Sequence, residues 1–154
     1  MINLPFKNSI LSSLLKQRIK QINIVNSNPL ITQEKIFKDL IKKALTTQFG
    51  NDHSFSNIKT YDDYKKNVPV RKYEEIFPYI DKMRLGKKNI LWPGKTTFFA
   101  KSSGTSNAKS KYIPLSNDTL YDCHFKGGKD MLAIYLNNNP ESRVFNGKGI
   151  SNLF

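Results

Sequence analysis

The sequence predicts an α/β chain, helical over most of its first half and carrying a strand–loop–strand unit near residue 100. Two N-terminal stretches repeat apolar residues at helical spacing, and two shorter helical pieces follow, broken at prolines. Then a run of small hydroxylated residues, Ser102 to Ser106, stands between the extended segments "TTFFAK" and "KYIP". A length of 154 residues, 38% of them hydrophobic and 12% aromatic, suffices for the core of one ordinary domain.

From Asn8 to Ile24, the side chains of Ile10, Leu11, Leu14, Leu15, Ile19 and Ile22 predict an amphipathic helix with a basic outer face. Packing against its own domain is a commoner fate for such a helix than lying on an anionic membrane. "NSNPL" breaks the chain, because Pro29 lacks an N–H donor and restrains its predecessor. A second helix is expected from Thr32, a good N-cap type, with Ile36, Phe37, Leu40, Ile41, Ala44 and Leu45 on one side. Gly50 suits a left-handed C-cap at its end.

Residues 60–86 read as two helical pieces, "TYDDYKK" and "RKYEEIFPYIDKMRLG", the second ended or kinked at Pro78. "GKKNILWPGK" is a turn-rich connector holding Trp92. Beyond the strand–loop–strand unit, "SNDTLYDCHFKGGKDMLAIYL" predicts a helix capped by Ser116 or Asn117 and weakened by Gly127 and Gly128. "NNNPES" is a loop, and "RVFNGKGI" opens a further strand and turn. No internal repeat and no linker divides the chain into two domains.

The formal charge is +13, from 25 basic and 12 acidic side chains, so anionic partners have to be considered. The lysines run from Lys7 to Lys148 without gathering into one arm, which reads first as a generic basic surface. Tyr61, Tyr64, Tyr73, Phe77 and Tyr79 interleave with Lys65, Lys66, Arg71 and Lys72, as in proteins that stack on single-stranded nucleic acid. Asp62, Asp63, Glu74 and Glu75 in the same stretch would repel phosphate, and core aromatics on amphipathic helices explain the pattern better.

The single cysteine, Cys123, excludes an intrachain disulfide and a Cys-rich zinc site, and fits a reducing cytoplasm. Its neighbour His124 points about 100° away on a helix, so the two do not form a catalytic pair. His53 lies in the polar segment "FGNDHSFSN", where a histidine is solvated or serves as a local hydrogen-bonding group. No metal site can be assembled from these parts. Lys7, Lys16 and Arg18 interrupt the N-terminal apolar patch, and no apolar run approaches the roughly 20 residues of a membrane span, so a soluble cytoplasmic chain is expected.

Ser102, Ser103, Gly104, Thr105 and Ser106 carry the chemistry. Such a loop exposes main-chain N–H groups, Gly104 allows close approach, and the hydroxyls add rotatable donors. Concave clusters of such donors bind anionic oxygens, above all phosphate, and Lys109 and Lys111 supply compensating charge. Neither the Walker A spacing nor the dinucleotide fingerprint is present. On composition alone the segment reads equally well as a solvated Ser/Gly turn.

The string "SSGTSNAKSKYIP" resembles the first nucleotide-binding motif of adenylate-forming enzymes, and within them of the acyl acid–amido synthetases, the auxin-responsive-promoter family also found in bacteria. Ser102, Ser103, Gly104, Thr105, Ser106, Lys111 and Pro114 match that motif; Ala108 replaces its usual glycine, a change that stiffens the chain and is tolerated where φ is negative. Upstream, "NVPVRKYEEIFPYIDKMRLGKKNILWPGKTTFFAKSSGTS" resembles the family's run of Val-Pro, Tyr-Glu and Pro-Tyr-Ile, and "ALTTQFGNDHSF" its Thr-x-Phe-Gly segment.

The resemblance implies an acyl-CoA-synthetase-like, adenylate-forming domain of which residues 1–154 are an N-terminal portion, since family members are several times longer. It implies that the complete enzyme uses ATP and Mg²⁺ to convert a carboxylic acid to an acyl-adenylate, releases pyrophosphate, and passes the acyl group to an amine such as an amino acid. Ser102, Ser103, Thr105 and Ser106 would hold the phosphates, Gly104 would give clearance, and Lys111 would neutralise charge. The chain alone is expected to be inactive. The rival readings are a basic nucleic-acid-binding module and a truncated gene product ending at "GISNLF".

Overall fold

A computed structural model describes residues 7–102, 110–142 and 144. They contain six α-helices and a two-stranded antiparallel sheet, and the chain divides into two compact units. The expected strand at "RVFNGKGI" falls almost wholly outside the described residues.

The first unit pairs α1, Lys7–Ser27, with α6, Lys126–Asn138. Leu15, Arg18, Ile19 and Ile22 of α1 are half-buried, a spacing that lines one helical stripe. Ala133 and Leu136 are the buried residues of α6. Burying a leucine side chain is worth about 1.5–3 kcal/mol, so these apolar contacts supply the larger part of the pairing.

An ion pair fixes its register. Arg18 donates through Nε and Nη2 to the two carboxylate oxygens of Asp130, at 2.5 and 2.8 Å. The hydrogen bond from Arg18 holds the Asp130 carboxyl below its usual range, and Asp130 in turn raises the guanidinium. A depressed carboxyl contributes stability above its unfolded value, near 3.9, and loses it as pH falls through the folded value. Asp130→Asn is therefore expected to destabilise the α1–α6 pair by about 1–2 kcal/mol near neutral pH. The deficit against the natural chain should close as urea unfolding is repeated at successively lower pH, from about 5 towards 2.

The second unit spans residues 30–121. Helix α2 covers Pro29–Ala44 and departs from expectation at both ends. It starts at Pro29 and not Thr32, since proline is pre-organised for the first helical position, where its missing N–H is no loss. It stops at Ala44, and Gly50 lies inside a separate short helix α3, Gln48–Asp52. Gly50 is there for clearance: an added Cβ would sit 2.2 Å from the Ala44 carbonyl oxygen. Thr47 caps α3, accepting from the Gly50 N–H at 3.0 Å and donating to the Ala44 carbonyl at 2.7 Å.

Only part of the apolar stripe of α2 is covered. Ile41 and Ala44 join Phe55 and Ile58 in a core lined by Phe37, Phe49, Tyr64, Val68 and Trp92, whereas Ile36 and Leu40 are exposed. A 3-10 turn, Phe55–Asn57, leads to α4, Tyr61–Asn67. A capping box starts α4, Thr60 and Asp63 each accepting from the other's main-chain N–H. The Thr60 hydrogen bonds hold the Asp63 carboxyl below its ordinary value.

His53 takes the second of its two expected roles. It closes α3 instead of lying in a solvated loop, is 4% exposed, and stacks on Phe49 with ring centroids 4.0 Å apart. Its Nδ1 lies 2.8 Å from the Phe49 carbonyl and its Nε2 accepts from Arg71 at 2.9 Å, a pattern that places the proton on Nδ1.

Helix α5, Tyr73–Arg84, runs through Pro78 without ending there. Pro78 and Glu74, whose carbonyl loses its helical donor, are both exposed, so water can satisfy that group. Tyr79 donates to Asp52 at 2.8 Å, and burial together with that carboxylate pushes its phenol up. Of the interleaved aromatics, Tyr64 packs on Phe37 and Phe55 and Tyr79 on Phe49, while Tyr61 is exposed.

The connector returns to α3. Asn89 and Ile90 accept from the Gln48 and Phe49 N–H groups at 2.8 and 3.0 Å, satisfying donors that a helix N-terminus leaves unpaired. Strands β1, Phe98–Lys101, and β2, Tyr112–Leu115, follow where "TTFFAK" and "KYIP" predict them. Ser116 caps the next helical stretch, accepting from the Thr119 N–H at 3.1 Å. That stretch continues through wide π-type turns over Thr119–Phe125 into α6, with Gly127 and Gly128 in the first turn of α6.

Candidate functional site

The hydroxyl-rich loop is the connection of the β1–β2 hairpin. Phe98 pairs with Leu115, Phe99 with Pro114, Ala100 with Ile113 and Lys101 with Tyr112. One residue further, the Ser102 N–H donates to the Lys111 carbonyl at 3.0 Å, and the Lys111 N–H donates to the Ser102 hydroxyl oxygen at 3.1 Å. A serine side chain thus completes the last rung and closes the mouth of the loop. Its hydroxyl keeps its own proton to donate elsewhere.

Antiparallel ladders alternate, so if Ser102 and Lys111 form a hydrogen-bonded pair, Tyr112 turns its N–H and C=O away from β1. Pro114 has the same parity, which suits a residue without an N–H to give. Tyr73, the first residue of α5, meets the outward groups of Tyr112. Its hydroxyl accepts from the Tyr112 N–H at 2.8 Å and lies 3.3 Å from the Tyr112 carbonyl as a donor.

Cations surround this rim. The Lys111 ammonium lies 5.2 Å from the centroid of the Tyr73 ring, and the Arg84 guanidinium lies 4.1 Å from that of Tyr112. Lys101 is exposed beside them. Among the described residues of the hairpin there is no carboxylate. The main-chain N–H groups of Ser102, Lys111 and Tyr112 are engaged within the protein, and Arg84 is paired with Asp81 at 3.1 Å. That leaves the ammonium groups of Lys101 and Lys111 and the Ser102 hydroxyl proton as the donors that suit an anion, phosphate oxygens above all. The rim offers no hard-oxygen cage for Mg²⁺, which in such a place would be held by phosphate oxygens brought with a nucleotide.

Of the predicted site residues, the structure brings Ser102 and Lys111 together at the loop mouth. Ser103, Gly104, Thr105 and Ser106 lie outside the described residues, as do Ala108 and Lys109. Sequence reasoning took Tyr73 for a core aromatic and gave Arg84 no role at the site. The available signal for Tyr73 was its place in the Tyr-Glu pair of the upstream run. Elsewhere Cys123 is an exposed free thiol, and among the described residues no group of three or more His, Cys, Asp or Glu could hold a metal ion. No helix among them is long and apolar enough to cross a membrane.

The model of the GH3 family N-terminal domain matches residues 18–154. The chain is similar to the 4-substituted benzoates-glutamate ligase GH3.12 of Arabidopsis thaliana, 29% identical over 133 residues that make up 75% of this chain and 23% of that protein. It is 26% identical over 106 residues to the indole-3-acetic acid-amido synthetase GH3.5 of the same plant, covering 68% of this chain and 17% of the relative. A third, the amido synthetase GH3.15, is 39% identical over 89 residues, 57% of this chain and 15% of the relative. The chain therefore spans less than a quarter of the length of the curated relatives it matches. By the match of the N-terminal domain over most of its length, and by its similarity to several amido synthetases and a ligase, this chain belongs to the GH3 family.

Proposed function

We propose that the β1–β2 hairpin is the nucleotide-phosphate grip of an ATP-dependent ligase, whose complete form activates a carboxylic acid as its acyl-adenylate and transfers the acyl group to an amine. The observation that carries this is the loop mouth itself, where Ser102 is hydrogen-bonded to Lys111 in a hairpin whose described residues hold Lys101 and Lys111 and no carboxylate. The names of the relatives, an acid–glutamate ligase and indole-3-acetic acid-amido synthetases, support an acid and an amino acid as the joined substrates.

In this reading the hairpin contributes electrostatics and no covalent step. Ser102, Ser103, Thr105 and Ser106 donate to phosphate oxygens, Gly104 gives clearance, and Lys111 offsets charge as pyrophosphate leaves. The attacking group is the substrate's own carboxylate, so neither a nucleophile nor a general base is needed here. Mg²⁺ would accompany ATP and screen its phosphates. Residues 1–154 form an N-terminal portion of one larger adenylate-forming domain acting in the cytoplasm. The exposed apolar side chains of Leu30, Ile31, Ile36, Leu40, Phe98 and Ile113 support a larger domain, being more than a finished surface usually leaves open.

Acid-dependent ATP–pyrophosphate exchange tests the reading in a form of the protein extended to the length of its relatives. Ser103→Ala and Lys111→Ala should both slow exchange; unchanged rates in both variants would remove the loop from the reaction.

A further inference from the structure

We infer that Tyr73 is the positioning residue of the phosphate grip, holding Lys111 through its ring and the adjoining main chain through its hydroxyl. The inference rests on the proposed role of the loop and adds a residue to it that lies 29 or more positions upstream in the sequence.

Three observations converge on Tyr73. Its hydroxyl engages both main-chain polar groups of Tyr112, the residue immediately after Lys111, on the edge of β2 turned away from β1. Its ring stands 5.2 Å from the Lys111 ammonium. Its own place is fixed, because it opens α5, where the Lys72 N–H donates to Glu75 at 2.7 Å, and it packs on Phe77 with ring centroids 5.8 Å apart. The loop's C-terminal limb is thus tied to a helix as well as to β1.

The contacts divide the work. An exposed lysine has a long, freely rotating stem, and ordering it on binding an anion costs entropy. An aromatic face beside the ammonium confines it beforehand, and the hydroxyl prevents β2 from sliding along or peeling from its partner. Tyr73 touches no phosphate in this scheme. It acts through Lys111 and Tyr112.

The test titrates inorganic tripolyphosphate into the full chain by calorimetry, for the natural protein, Tyr73→Leu, Lys111→Ala and the double variant. Tyr73→Leu should weaken binding about fivefold or more through loss of both contacts. In the Lys111→Ala background the same change should have a markedly smaller effect, because most of the route to the anion is already gone. Tyr73→Phe keeps the ring and should fall between, with faster amide hydrogen exchange at Tyr112 and unchanged exchange at Ile80 and Met83 in α5.

If Lys111→Ala weakens binding while Tyr73→Leu does not, or if the two effects simply add, the positioning role is wrong and the phosphate grip stands. If the natural chain and Lys111→Ala bind equally or not at all, the grip itself is wrong and the inference falls with it. Uniformly faster exchange through α5 in Tyr73→Phe would instead make Tyr73 a general packing residue.

Discussion

Gly50→Ala is expected to destabilise the second unit by about 3 kcal/mol, near the upper end of what a single overpacked side chain costs. The added Cβ would lie 2.2 Å from the Ala44 carbonyl oxygen and 3.0 Å from that of Leu45. Both obstacles are main chain, so no side chain can swing aside. Ala44 is held in turn by the Thr47 N–H at 3.1 Å and the Thr47 hydroxyl at 2.7 Å, and Thr47 is fully buried. Relief therefore requires breaking the Thr47 cap or moving the end of α2 from the core around Ile41. In a thermal melt the midpoint should fall by on the order of 10 °C. Gly127→Ala is the matched control: nothing lies within 4 Å of its added Cβ. A helix position gains up to about 1 kcal/mol on exchanging glycine for alanine, so that variant should be neutral or slightly stabilised. Equal melting of the two variants would contradict the packing described for Gly50.

The other large effect concerns the reaction. Lys111→Ala should reduce acid-dependent ATP–pyrophosphate exchange by roughly 10- to 100-fold, the equivalent of one hydrogen bond to a charged group. Ser103→Ala, removing one neutral donor among several, should cost about fivefold. The order of the two matters as much as their size. A loop that merely had to fold would be more sensitive at the serine-rich centre than at an exposed lysine on its rim. A grip on accumulating phosphate charge is more sensitive at the cation.

Much of this was legible in the sequence where a single local signal decided the matter. "TTFFAK" and "KYIP" gave two strands because aromatic and β-branched residues flank a run that can be neither helix nor strand. The turn-rich connector around Asn89 and the cap offered by Ser116 or Asn117 rest on residues with one dominant local use, whereas the capping pair Thr60 and Asp63 went unread. The misreadings arose where a residue type has two uses. Glycine at position 50 could serve a left-handed turn or a close approach, and only the folded chain shows the Ala44 carbonyl beside it. The break at Pro29 holds, with α1 ending at Ser27, but the second helix was started near Thr32, though proline also opens helices. Pro78 was taken to end or kink the helix; it does not end it, since a helix can pass through a proline when the orphaned carbonyl faces water.

At the site, the loop mouth was visible in sequence because Ser102 and Lys111 belong to one contiguous motif. Tyr73 was not, because its partners Lys111 and Tyr112 lie far along the chain and its contacts are with main chain and with an ammonium. No periodicity encodes a tyrosine hydroxyl that pairs with the outward edge of a distant strand. The Arg84–Tyr112 contact escaped for the same reason.

The central claim is that the β1–β2 hairpin receives the phosphates, and main-chain amide NMR of the isotope-labelled chain during addition of Mg²⁺–ATP tests it most directly. The account predicts saturable shifts concentrated at Ser102, Lys111 and Tyr112, abolished or much weakened in Lys111→Ala. Shifts spread over the basic surfaces of α1 and α2, and unaltered in that variant, would show that ATP meets this protein only as a polyanion meets a positive charge.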